Sequence, residues 1–235
     1  MVDRVELWFL ADNRVAVPGT ISTWGLSILV NAYGKYILFD TDSRWDIIEY
    51  NARVINAPID RVEYIVISHL HGDHAGGLRR AIKYYRGLGR ITHIILPEKT
   101  RVPHGTLYTV GENPVFIKDN VLTTGVLGHG IREQALIVDI RGKGPLVLVG
   151  CSHPGIENIL KRTTMLLGTN SVYGLIGGYH ISGHEAYNVL YVLEKYNVEL
   201  IGPAHCTGDD AIDIFRQEFK GRFIAAGTGL HAVID

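Results

Sequence analysis

Residues 66–78 read "VISHLHGDHAGGL" and put three histidines and an aspartate within six positions, His69 to His74. Neutral imidazoles and a carboxylate crowded onto one short loop need partners. Imidazole and carboxylate are the donors expected of zinc, with iron or manganese also compatible. His69 and His71 are two apart, so extended backbone points both the same way. Asp73 and His74 follow Gly72, which allows a tight turn. The loop can thus split its donors, His69 and His71 to one ion, Asp73 and His74 to a second. Gly76 and Gly77 then let the backbone enter a helix without a side-chain clash.

Working outward, the loop follows a buried strand, "VEYIVISH", and precedes a helical stretch, "GGLRRAIKYYRGL". Upstream, "RVELWFLADN" reads as a first strand, and "GLSILVNAYGKYILFDTD" as two strands joined at Tyr33-Gly34. Residues 107–149 read as several strands punctuated by Gly and Pro. Helix and strand then alternate to a last expected strand, "RFIAAGTG". No linker divides the halves, so residues 1–235 are expected to form one domain. The simplest packing is two sheets face to face with helices outside, an α+β fold of the four-layer αβ/βα sandwich type.

Four strands end in histidine or in a histidine-bearing turn: "YIVISH" (His69), "LVLVGCSH" (His153), "LIGGYH" (His180) and "LIGPAH" (His205). Strand ends on one sheet edge are close in space however distant in sequence, and loops there carry chemistry on a rigid scaffold. One such histidine is ordinary packing; four are not. His93, His104 and His231 read as structural or solvent-facing, and His129 falls between the two readings. His184 begins a helix near the expected pocket mouth. Trp24, Trp45, Tyr84 and Tyr85 read as packing residues, with Trp45 close enough to Asp42 to flank an entrance.

Composition narrows the function. Apolar residues make up 46% of the 235, charged residues 20%, and the formal net charge is −1. That balance gives no electrostatic footprint for nucleic acid. No apolar run reaches the length of a membrane span, and the N-terminus lacks the pattern of a signal peptide. Two cysteines, Cys151 and Cys206, make no disulfide framework, which favours the cytoplasm. Each lies beside a histidine. They read either as small buried residues near a packed site, or as a redox pair or auxiliary soft ligand.

"HLHGDHAGG" resembles the signature loop of the metallo-β-lactamase fold superfamily, and "YILFDTD" its strand ending in an aspartate behind the metal site. "LVGCSHPGIENIL", "LIGGYH" and "PAHCTG" resemble the branch typified by the archaeal 7,8-dihydropterin-6-methyl-4-(β-D-ribofuranosyl)-aminobenzene-5'-phosphate synthase and related metal-dependent hydrolases. The resemblance implies His69, His71 and His153 on one metal, and Asp73, His74 and His205 on a second. It implies that Asp40 orients a ligand imidazole, and that His180 binds substrate or donates a proton. Two departures stand out. The strand that usually ends in a bridging aspartate ends here in "VGCSH", and "FDTD" places Asp42 where a glycine is usual.

The expected activity is that of a metal-dependent hydrolase using metal-bound hydroxide, with one or two zinc ions and manganese or iron as alternatives. Asp73 and His180 are the expected catalytic residues. The substrate class is a small molecule carrying a phosphoester or diphosphate. Alternatives are a lactonase or thioesterase, and a non-catalytic metal-binding or redox module; His71 argues against the latter, because iron-based redox relatives are expected to carry glutamate there.

Overall fold

The computed structural model describes residues 4–219 and 222–235. Strand β1 (Val5–Ala11) pairs antiparallel with β2 (Ser27–Ala32), and β2 with β3 (Lys35–Phe39). The β2–β3 hairpin turns at Tyr33 and Gly34, both at positive φ, as a two-residue turn matching strand twist requires. After β3 come helix α1 (Trp45–Val54), strand β4 (Tyr64–Val66), the single turn α2 (Gly72–Ala75), helix α3 (Leu78–Gly87), and strands β5 (His93–Leu96) and β6 (Tyr108–Val110). Strands β3, β4, β5 and β6 are parallel neighbours.

The second sheet is built from β7 (Phe116–Lys118), β8 (Val121–Thr123), β9 (Leu136–Ile140), β10 (Gly144–Val149), β11 (Gly174–Gly178) and β12 (Leu200–Ala204). Strands β7 to β10 run antiparallel; β10, β11 and β12 run parallel. Helices α4 (Ile156–Leu167), α5 (Glu185–Lys195) and α6 (Asp209–Glu218) follow the last three of these strands. The chain then returns to the first sheet, where β13 (His231–Ile234) pairs with the free edge of β1. The orders are β13-β1-β2-β3-β4-β5-β6 and β12-β11-β10-β9-β8-β7.

Alternation along the strands sorts the apolar side chains into three layers of core. Leu7, Phe9, Ile28, Val30, Ile37 and Phe39 face Leu136, Val138, Leu146, Leu148 and Ile176 between the sheets. On the outer face of the first sheet, Leu10, Leu29, Leu38, Ile65 and Ile94 pack against Trp45, Ile48, Leu78, Ile82 and Tyr85 of α1 and α3. On the outer face of the second, Val147, Val149, Leu175 and Ile201 pack against α4, α5 and α6. Each such fully buried aliphatic side chain contributes about 1.5–3 kcal/mol. The architecture is the expected αβ/βα sandwich with two mixed sheets.

The parallel runs matter for the site. Strands β3 and β4 end together, and so do β10, β11 and β12, so the loops after these strand ends meet at one edge. Two local expectations are corrected. "RFIAAGTG" is not a strand: its backbone bonds to Ile201 of β12 at one end and to Arg14, Ala16 and Phe9 at the other. It crosses from one sheet to the other, which a ladder-forming strand cannot do. Gly72 is not in a special turn either; it opens α2 at ordinary negative φ. Trp45 lies buried under the first sheet against Tyr84 and Tyr85, and flanks no entrance.

Candidate metal centre

Strand β4 ends at Val66, and His69 lies buried three residues beyond it; His71 caps α2, which carries Asp73 and His74 in its one turn. Two glycines make this tight loop possible. A Cβ at Gly77 would collide with the carbonyl oxygen of Thr41, and one at Gly76 with that of Gly72. The loop is thus pressed onto the end of β3, with Thr41 N donating to His74 O (2.7 Å) and Gly77 N to Asp42 O (2.7 Å).

The structure brings the six side chains singled out above into two adjoining triads. His69, His71 and His153 offer donor atoms within 4.8 Å of one another, and so do Asp73, His74 and His205. The triads touch through His69 and His74, whose ring centroids are 4.1 Å apart. Cys151 lies between them. Its Sγ is 3.2 Å from His74 Nε2 and groups within the same limit with His69. Thus the strand end that lacks a carboxylate supplies a thiol at the junction. His180 sits at the exposed side, its ring 4.8 Å from that of His153.

The hydrogen bonds fix which ring nitrogens face inward. His74 Nδ1 is 2.7 Å from Asp40 Oδ2 and donates to it. Ser68 donates to the same carboxylate through N and Oγ, both at 2.7 Å. Its hydroxyl proton is thereby committed, so Ser68 Oγ accepts from His69 Nδ1 at 3.0 Å. His205 Nδ1 donates to Asn13 Oδ1 at 2.9 Å. Each of these rings therefore turns its Nε2 towards the cluster, and in His69 and His205, which burial keeps neutral, that nitrogen carries a bare lone pair. His74 Nε2 and His205 Nε2 approach to 3.1 Å, and His69 Nε2 and His71 Nδ1 to 3.0 Å. His153 Nε2 is buried with no hydrogen-bond partner. Closely facing ring nitrogens and the orphaned His153 Nε2 fit a divalent cation, which can take a lone pair from each.

Electrostatics agree. Burial, reinforced by the neighbouring imidazoles, pushes His69 far below the usual histidine range. Burial first, then His180 and His71, lower His153 to about 4; burial first, then His74, lowers His205 to about 3. These rings stay neutral and available as ligands. His74 is raised: burial alone would lower it, and the charge and hydrogen bond of Asp40 outweigh that. The hydrogen bond from Cys151 to Cys206 pushes Cys151 up and lowers Cys206 to about 7, with His180 helping to lower Cys206.

Three supporting residues have no signal in the histidine motifs. Buried Glu133 accepts four backbone N–H groups from the "GCSH" turn: Gly150, Cys151 and Ser152 on Oε1 (3.0–3.1 Å) and His153 on Oε2 (2.8 Å). Desolvation by burial nonetheless raises the pKa of its carboxyl group. Asp12 accepts from His205 N at 2.8 Å, and Asn13 holds both the ring and the carbonyl of His205. Asp42 faces away from the cluster, accepting from Thr23 Oγ1 (2.9 Å) and Arg44 N, so the unusual "FDTD" braces a turn. Asp40, Asp42, Ser152, His180 and His205 all have positive φ. Non-glycine residues held there cost of order 1–3 kcal/mol each, and such strain gathers at functional sites.

A family model described as the metallo-beta-lactamase superfamily matches residues 25–160, more than half of the chain. The chain belongs to the metallo-β-lactamase superfamily. Among curated relatives it is 25% identical, over 94% of each chain, to the 7,8-dihydropterin-6-methyl-4-(β-D-ribofuranosyl)-aminobenzene-5'-phosphate synthase of Methanocaldococcus jannaschii. This bears out the branch resemblance carried by "GCSH", "GGYH" and "AHCTG". Among solved structures it superposes at a TM-score of 0.77, with 27% identity, on a metal-dependent hydrolase of the β-lactamase superfamily, covering 97% of this chain and 98% of that one. A metallo-β-lactamase fold protein of Bacillus subtilis shares the fold at a TM-score of 0.69 and 11% identity, with 99% and 100% covered.

Around the cluster of this superfamily member, His153 lines two cavities. One, of about 530 Å³, is walled by Leu127, His129, Asn158, Lys161 and Arg162; the other, of about 480 Å³, by Ile156, His180, Ile181, Val189 and Val192. Trp24 is 69% exposed at the rim, its indole edge-on to His205 with centroids 5.7 Å apart. A further cavity of about 440 Å³, near Arg4, Tyr33 and Lys118, contains none of these residues. His93, His104 and His231 lie away from the cluster, and His231 stacks on Trp8. Among the described residues, no helix is long and apolar enough to cross a membrane.

Proposed function

We propose that this protein is a metal-dependent enzyme acting on a phosphoester or diphosphate group of a small molecule. One observation carries the reading: two donor triads, each combining ligands from both halves of the chain, adjoin at one edge of the sandwich, with ring nitrogens of His74 and His205 turned to within 3.1 Å of each other. His69, His71 and His153 would hold one ion and Asp73, His74 and His205 a second, with Cys151 as a soft donor between them. Zinc suits this donor set, and the thiol together with imidazole also suits iron; manganese suits the oxygen and nitrogen donors alone. When bound, a divalent cation supplies Lewis acidity and lowers the pKa of a coordinated water from 15.7 to about 7.

The chain's own residues set the rest. Asp40, Ser68 and Asn13 fix the tautomers of His74, His69 and His205, so the cluster is built before anything binds. Asp73, half-buried with Oδ2 3.4 Å from His205 Nε2, would orient the attacking oxygen. His180, exposed beside His153, would protonate the leaving group, help worth about 10²–10⁴-fold. The phosphate-bearing substrate class is supported by the 25% identical Methanocaldococcus jannaschii synthase, whose named product carries a 5'-phosphate. Both hydrolysis and transfer to an acceptor other than water fit the same apparatus. The two thiols, both free, suit a reducing compartment, the cytoplasm.

A second reading, lactone or thioester hydrolysis, is favoured by the apolar wall of the cavity beside His180, where Ile156, Ile181, Val189 and Val192 would receive an acyl chain. The experiment is elemental analysis of the purified protein beside a His69→Ala variant, followed by a panel of phosphoesters, diphosphates, dihydropterin substrates, lactones and acyl-thioesters with the metal found. Turnover confined to phosphorus substrates supports the first reading. Turnover confined to carbonyl substrates replaces it with the second, and a protein without stoichiometric metal ends both.

A further inference from the structure

The cavity between His153 and helix α4 is unlike the rest of the surface. Its wall carries Lys161 and Arg162 from α4, the Asn158 amide, and His129 from the β8–β9 connection. The chain has 24 acidic residues, and none of them lines it. Neither cation is neutralised by a salt bridge: Lys161 has no carboxylate within bonding distance among the described residues, and Arg162 spends only Nε, on the carbonyl oxygen of Thr124 (3.1 Å). That one bond holds the guanidinium in place and leaves its outer N–H groups unspent. Glu157, the acidic residue of α4, is bonded to Lys195 at 2.6 Å and reaches Lys161 only through its longer-range charge. The opposite wall is His153 itself, so an anion here would adjoin the candidate metal centre.

We propose that this cavity seats the phosphate or diphosphate of the substrate, with Lys161 and Arg162 as the residues that select for it. The inference deepens the functional reading above and rests on His153 belonging to the metal centre. Size agrees with chemistry: about 530 Å³ admits a diphosphate with part of the group it is attached to. A guanidinium fixed by its Nε offers two remaining edges to a tetrahedral anion, while the lysine adds a point charge. Orientation follows. The anion lies against α4, and the organic remainder extends past His153 towards His180 and the apolar wall of the neighbouring cavity.

The test is calorimetric titration of inorganic diphosphate into chelator-treated protein, so that bound metal contributes nothing. Wild type should bind, and Lys161→Met with Arg162→Met should weaken binding by about tenfold or more, the scale of losing charge-assisted hydrogen bonds. Arg162→Lys should recover only part, and Lys83→Met, an exposed cation on α3, should change nothing. Absence of binding to wild type, or equal binding by wild type and the double variant, overturns the proposal. Metal content of the same proteins as purified, measured before the chelator is added, separates the two readings. Metal held by a protein indifferent to Lys161 and Arg162 sinks the anion seat alone, whereas diphosphate binding through them without stoichiometric metal sinks the metal centre and leaves the seat.

Discussion

Cys151 stands at the junction of the two triads, and its neighbours decide what it does. In the metal-free protein its proton is held by burial and by the hydrogen bond to Cys206. A bound cation inverts that balance, because a coordinating thiol gives up its proton outright. Cobalt-substituted protein should therefore show a near-ultraviolet thiolate charge-transfer band that Cys151→Ser removes, with the visible imidazole-ligated bands kept; an unchanged band would place Cys151 outside the ligand set. The imidazoles depend on quieter residues. Asp40→Asn keeps the volume but loses the charge that holds His74, and should cost about 10–100-fold in metal affinity, read by competition with a chromogenic chelator. Asp40 is recognisable in the sequence, at the end of an apolar strand. Glu133 and Asn13 are not. A lone glutamate ahead of a strand and an asparagine behind one look like ordinary turn chemistry. Their roles arise from contacts spanning 17–20 residues for Glu133 and 192 residues for Asn13.

At the scale of elements, the local signals were the readable ones. Histidine spacing, glycine pairs and period-two alternation lie within short windows, so residues 66–78 and the strand ends betray the site without any structure. The crossing segment 222–229 has the apolar content of a strand, yet its backbone bonds are divided between two sheets. Composition carries no trace of that division. The glycines at the loop-to-helix junction serve close approach rather than unusual dihedrals: Gly77 meets Thr41 O and has no positive φ. Gly77→Ala should therefore push α2 off the end of β3. Overpacking of this kind costs about 1–3 kcal/mol. The expected outcome is a lowered denaturation midpoint together with substoichiometric metal. Wild-type metal content in a destabilised variant would show that the loop position and the ligand geometry are independent.

For the molecule as a whole, the buried imidazoles make stability a function of acidity. In the folded, metal-free protein His153 titrates near 4 and His205 near 3, with His69 also depressed. In the unfolded chain they titrate near 6.5. As pH falls below about 6.5 the unfolded chain takes up protons that the folded one refuses, so stability present above that value is lost progressively towards about 3. His74 opposes the trend, since Asp40 favours its protonated form in the fold. Thermal unfolding in chelator should show Tm falling from pH 7.5 to 5, and stoichiometric zinc should raise Tm most at the upper end, where ligand protons compete least. A flat profile would mean that the rings are solvated in solution. The global layering was legible from strand and helix alternation. The pairing of particular strand ends was not, because it depends on how the two mixed sheets are ordered, β3 beside β4 and β10 beside β11 and β12.

Thr228 shows how far the ends of the chain cooperate. Its hydroxyl accepts from Asp12 N at 2.9 Å and donates to Asp12 O at 3.0 Å, and the Asp12 carboxylate in turn holds the backbone of His205. Asp12 thus clasps two segments that lie 193 and 216 residues further along the chain. Anyone trimming the carboxyl end to make a shorter protein would be cutting the string that ties its most distant imidazole in place, and would bare the flank of β1 to other copies at the same stroke.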